Sequence, residues 1–92
     1  MAKRVILSAK LDSAAVGDLR EKLMGSVGDD VVLDGSGVEM LGGLCLELLL
    51  GARHLWAAGG KSLSIAPSSA ELDDNLARFG LAAGHFAGEA PA

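Results

Sequence analysis

Val31-Val32-Leu33-Asp34-Gly35-Ser36-Gly37-Val38-Glu39-Met40-Leu41-Gly42-Gly43-Leu44 is the stretch on which the fold turns. Its first three residues form a continuous apolar run, β-branched and then leucine, which suits a strand covered on both faces. A strand is therefore expected over 29–34. Gly35 to Leu41 reads as a loop with enough glycine for sharp changes of backbone direction. Gly42 and Gly43 then open the most apolar helix of the chain, predicted to run to about Ala58 and to stop at Gly59-Gly60.

On the N-terminal side, Val5-Ile6-Leu7 predicts a first strand within Ala2 to Ala9. Asp12 or Ser13 offers an N-cap to a helix over Ala14 to Met24, with Val16, Leu19 and Leu23 on one face and Gly25 as its stop. On the C-terminal side, Leu63 and Ile65 alternate with Ser62 and Ser64 in a third strand, Lys61 to Ala66. Pro67-Ser68-Ser69 starts another helix. There Ser68 and Glu71 have capping-box spacing, Leu72, Leu76 and Phe79 form the apolar stripe, and Gly80 closes the helix. Strand–helix alternation of this kind predicts right-handed βαβ crossovers on a small, mostly parallel sheet, an α/β fold. One domain over 1–92 is expected, with a core at about 3–81. The tail 82–92 is expected to be weakly ordered beyond anchors at Leu81 and Phe86.

Composition narrows the function classes. Of 92 residues 50% are hydrophobic but only 3% aromatic, so the core is aliphatic. A net charge of −4 and the scarcity of aromatics leave neither the basic footprint nor the stacking platform that nucleic-acid binding needs. One cysteine forms no internal disulfide, which points to a reducing, cytoplasmic setting. The apolar run near the N-terminus is shorter than a signal peptide requires. The stretch Leu44 to Leu50 is broken by Glu47 and falls far below the ~20 residues of a membrane span, so no membrane insertion is expected.

No catalytic, metal or cofactor constellation emerges. Gly35-Ser36-Gly37 lies between strand and helix, yet Met40 stands where the third glycine of a dinucleotide fingerprint belongs. Gly60-Lys61-Ser62 lacks the earlier glycine of a phosphate loop, since Leu55 stands there, and it precedes a strand rather than a helix. Cys45 and His54 are nine residues apart on one helix and face opposite ways. His54 and His85 have no metal-ligand spacing. Asp34 ends a strand as in receiver domains, but the acidic pair after the first strand is replaced by Ser8-Ala9-Lys10.

At 100° per residue, the second helix places Leu44, Cys45, Leu48, Leu49, Ala52, Leu55 and Trp56 on an arc of about 140° that should face the core. Glu47 and His54 centre the solvent side. Leu46 and Leu50 fall on a shoulder, to be covered either by a neighbouring helix or by a partner.

Leu11-Asp12, the helix ending Leu19-Arg20-Glu21-Lys22-Leu23, the Val31–Val38 stretch and Leu41-Gly42-Gly43-Leu44 with its leucine-rich helix together resemble a STAS domain over roughly residues 4–81. That family includes anti-sigma factor antagonists, cytoplasmic tails of sulphate transporters and small subunits of bacterial lipid-transport ABC complexes. The resemblance implies helices packed mainly on one side of the sheet and a non-enzymatic role in bacterial signalling. The partner it implies is a kinase-like anti-sigma regulator, an ABC ATPase or a chemotaxis-type protein. It places the partner surface on the loop 34–41 and the start of the second helix, at Asp34, Ser36, Leu41, Gly42, Gly43, Leu46 and Glu47; the exposed shoulder of the same helix extends the candidate surface to Leu50 and His54. The family's phosphoacceptor, a serine or threonine at that helix start, corresponds to Gly43, and its acidic neighbour to Gly42, so the phosphoswitch does not carry over. Ser36 matches the family's other common serine and is the remaining candidate for modification. A backbone anion site at the glycine-rich loop is a further alternative.

Overall fold

The computed structural model describes residues 2–81 together with Phe86. Its centre is β3 (Val31–Gly35), flanked by β1 (Lys3–Ile6) and β5 (Leu63–Ser68) in the order β1-β3-β5, all parallel. Leu33 lies between Val5 on one side and Ile65 on the other, which fixes the register of the three strands. Val31, Leu33 and Gly35 are buried on the helix-facing side, while Val32 and Asp34 alternate onto a more open face with Arg4 and Ile6. The continuous apolar run of β3 thus reflects its central position.

The connections are α1 (Val16–Met24) between β1 and β3, α2 (Gly43–Ala58) between β3 and β5, and α3 (Ala70–Arg78) after β5. The expected α/β architecture is present. The first strand falls within the expected Ala2 to Ala9, and it ends at Ile6 because after Leu7 the chain changes partner. Leu7 N–H still donates to Asp34 O at 3.0 Å, but Ala9 O receives Glu39 N–H at 2.7 Å. Lys10–Leu11 (β2) then pairs in parallel with Met40–Leu41 (β4), a short ladder within a segment whose glycine content reads as loop. Asp12 caps a 3-10 turn over Ser13–Ala15 that leads into α1, its Oδ1 accepting from Ala15 N–H at 3.2 Å.

The start of α3 also differs. β5 continues through Pro67 to Ser68, and the cap is Ser69, whose Oγ accepts from Leu72 N–H at 3.0 Å and donates to Val38 O at 2.6 Å. Ser68 instead donates its hydroxyl to the Asp73 carboxylate. Leu72 and Leu76 are buried as expected. Phe79, however, follows the last helical residue, caps the C-terminus and swings out of the stripe. Of the C-terminal segment, Leu81 packs on the core, Phe86 is buried, and Phe86 O receives Ile65 N–H at 2.8 Å on the outer edge of β5. The rest of the expected weakly ordered tail lies outside the described residues.

The core joins Leu19 and Leu23 of α1, Val31 and Leu33 of β3, Leu49 and Trp56 of α2, and Leu72 and Leu76 of α3. Trp56 is tied down by its indole N–H, which donates to Asp29 O at 2.7 Å. No helix among the described residues is long and apolar enough to cross a membrane.

Candidate functional site at the start of the second helix

The site begins where β3 ends. Gly35 is buried, and a Cβ there would lie 2.8 Å from Leu72 Cδ2 and 2.9 Å from Ile65 Cγ2, so only glycine lets α3 close on the strand. The neighbouring polar residues organise the turn. Asp34 Oδ1 accepts from Ser36 N–H at 3.0 Å and from Ser36 Oγ at 2.7 Å, an Asx-type turn, while Oδ2 pairs with Arg4 at 2.8 Å. The Ser36 hydroxyl, then its backbone N–H, then Arg4 hold the Asp34 carboxyl down to about 2. Ser36 itself is exposed, but its hydroxyl is engaged by a carboxylate. A phosphate at Ser36 would be set against Asp34, which charge repulsion disfavours.

Beyond the turn the loop is pinned at both ends. Val38 N–H donates to Gly35 O at 3.2 Å, and Gly42 N–H donates to Leu11 O at 2.8 Å. Gly42 is the N-cap of α2 in an extended conformation, offers no side-chain cap, and its carbonyl receives Leu46 N–H at 3.0 Å. Gly43 is the first helical residue and is exposed; a Cβ there would meet only Phe79 Cε1, at 3.9 Å. Leu44, 59% exposed, and Phe79, 47% exposed, flank that glycine and give the helix start an apolar surface.

The structure rotates α2 relative to the expectation. Its buried side chains are Cys45, Leu46, Leu49, Ala52 and Trp56, an arc shifted by about 70° at 100° per residue. Leu46 is only 5% exposed and belongs to the core, whereas Leu44 and Leu55, expected inside, are outside. A helix apolar on nearly every side leaves its rotation to packing: Leu46 and Leu44 compete for the same interior, and the α1 and β5 contacts decide. Leu41 is likewise buried, beneath the loop. Leu50 is half-buried against the core. Glu47 is exposed and lines a groove toward α1. His54 is exposed too, but roughly 16 Å beyond Gly43 at 1.5 Å per helical residue.

Asp34 and Ser36 thus stand at one end of the loop and Gly42 and Gly43 at the other, Leu41 and Leu46 are buried beneath it, and His54 stands apart. Phe79 is the surface residue that sequence reasoning missed. Its signal was the Gly80 directly after it, which ends the helix and frees the ring. The Cys45 thiol is buried, donates to Asp12 O at 3.4 Å, and is pushed up chiefly by burial and then by Asp12, the opposite of an activated nucleophile. Among the described residues no group of three or more His, Cys, Asp or Glu side chains is placed to hold a metal ion.

The family model described as "Mlab, STAS domain" matches residues 2–86. No curated protein and no solved structure matches the chain.

Proposed function

The chain belongs to the STAS domain family, and on that premise we propose that it is a non-enzymatic cytoplasmic docking module of bacterial signalling. It binds a kinase-like regulatory protein of the anti-sigma type through the 34–41 loop and the start of α2. The observation that carries this reading is the pair Leu44 and Phe79, two large apolar side chains held in solvent on either side of Gly43. The loop that leads to this helix start is held at its far end by the Asp34–Ser36–Arg4 cluster and at its near end by the Gly42 N–H to Leu11 O bond, which leaves little conformational freedom to lose on binding. Asp34 and Ser36 act in this reading by holding the loop, and Ser36 is structural rather than a phosphorylation target.

A second reading is favoured by one residue. Gly43 has no hydroxyl where a phosphoswitch would act. A subunit docked permanently on an ABC ATPase needs no such switch and would use the same surface. Affinity capture with the full chain, followed by mass spectrometry and titration of the purified partner, separates the two. A histidine-kinase-like ATPase bound at the α2 start supports the first, an ABC ATPase the second. Binding of either that is unchanged by Leu44→Ser contradicts both.

A further inference from the structure

Along one flank of α2, α1 and α2 enclose an open groove of about 270 Å³, lined by Arg20, Leu23 and Met24 on one wall and Glu47, Leu48 and Leu55 on the other. Its lower end merges, through Leu55 and Trp56, with a second depression bounded by Val27 and Lys61. Met24, Val27 and Leu55 are each about half exposed here, a contiguous apolar surface that the described chain leaves uncovered.

We propose that the occupant of this groove is a second copy of the same chain, related by a two-fold axis running along it. The groove is self-complementary in charge. Arg20 and Glu47 are exposed, carry opposite signs and stand on opposite walls. The ion pairs among the described residues are Arg4–Asp34 and Lys22–Asp18, so neither Arg20 nor Glu47 is in an ion pair among those residues. Both helices are crossovers between parallel neighbours, β1 to β3 and β3 to β5, and therefore run side by side in the same direction. On each, a charged residue of the groove wall is followed four residues on by another that lines it: Arg20 then Met24 on α1, Glu47 then Gly51 on α2. A two-fold along the groove sets Arg20 against the partner copy's Glu47 and, one turn on, Met24 against its Gly51, twice over, as an isologous interface requires.

Gly51 supports this independently. It lies in the middle of α2, lines the groove and would meet nothing within 4 Å if it carried a Cβ. The fold therefore does not demand a residue that weakens a helix interior, whereas close approach of another helix does. The groove shares Glu47 with the partner surface expected at the start of α2, whereas Arg20, Met24, Gly51 and Leu55 lie outside that surface, so Arg20→Glu tests the groove apart from the partner reading.

Sedimentation equilibrium of the full chain from micromolar to near-millimolar concentration tests it. A monomer–dimer equilibrium is expected, weakened at least about tenfold by either Arg20→Glu or Glu47→Arg and restored by the double reversal on one chain. Gly51→Gln, which improves helix propensity, is expected to raise the melting temperature of the monomer while weakening the dimer, and so separates misfolding from a lost contact. A chain monomeric throughout, or a dimer indifferent to single charge reversal, overturns the proposal. Shifts of the Arg20, Met24 and Leu55 amides in a monomer on adding the regulatory partner overturn it as well, and would give the groove to that partner.

Discussion

Two glycines eight residues apart, Gly35 and Gly43, bracket the same loop and have opposite reasons for being there. Around Gly35 the molecule is closed: Leu72, Ile65 and the Pro67 carbonyl all crowd the place a Cβ would take. Around Gly43 it is open, with the Phe79 ring edge 3.9 Å away and solvent elsewhere. The first glycine is demanded by packing. The second is not, so the bare helix start is a property of the surface rather than a requirement of packing.

The largest test of this contrast lies one turn along the helix. Leu46→Ala should cost about 2–4 kcal/mol in urea unfolding, because Leu46 fills the core, while Leu44→Ser should stay within about 0.5 kcal/mol. Equal costs would break the assignment of inside and outside on α2. Gly35→Ala comes next, at about 1–3 kcal/mol from the overlap with Leu72 and Ile65, and is read as a lowered urea midpoint. A smaller effect concerns pH. Asp34 is held at about 2 against an ordinary 3.8, so its charged form favours the fold. That contribution is present above about 4 and is lost as pH falls through 2. Asp34→Asn should flatten this part of the stability–pH curve, measured by thermal melts between those values. Smallest of all, Gly43→Ala should stabilise by up to about 0.5–1 kcal/mol, since its backbone is not left-handed and the space is free. A lowered melting temperature for that variant would mean the helix start is less open than it looks.

Much of the fold was legible because the strand and helix periods are clear and the punctuation is strong. The Val31–Leu33 run, the Gly42-Gly43 opening of α2 and its Gly59 end all stand where the pattern puts them. Three features were not legible, each for a physical reason. The β2–β4 ladder is two residues long and is set by long-range pairing, with no local signature. Ser68 and Ser69 are equivalent as caps on paper, and the choice depends on the Val38 carbonyl that Ser69 reaches across the fold. The rotation of α2 could not be read from a helix with leucines at 44, 46, 48, 49, 50 and 55, because its apolar pattern has almost no preferred side. The loop of the candidate site was therefore located from sequence, while the side chains that project beside it, Leu44 and Phe79, were not.

The most direct test of the docking surface is calorimetric titration of the purified regulatory ATPase with the wild-type chain, Leu44→Ser, Phe79→Ser and, as a control distant on the same helix, His54→Ala. Each apolar truncation should weaken binding about tenfold or more, in keeping with about 1.5–3 kcal/mol for a buried large side chain, and His54→Ala should leave it unchanged. Affinities that do not respond to Leu44 or Phe79, with the variants still folded, would contradict the account.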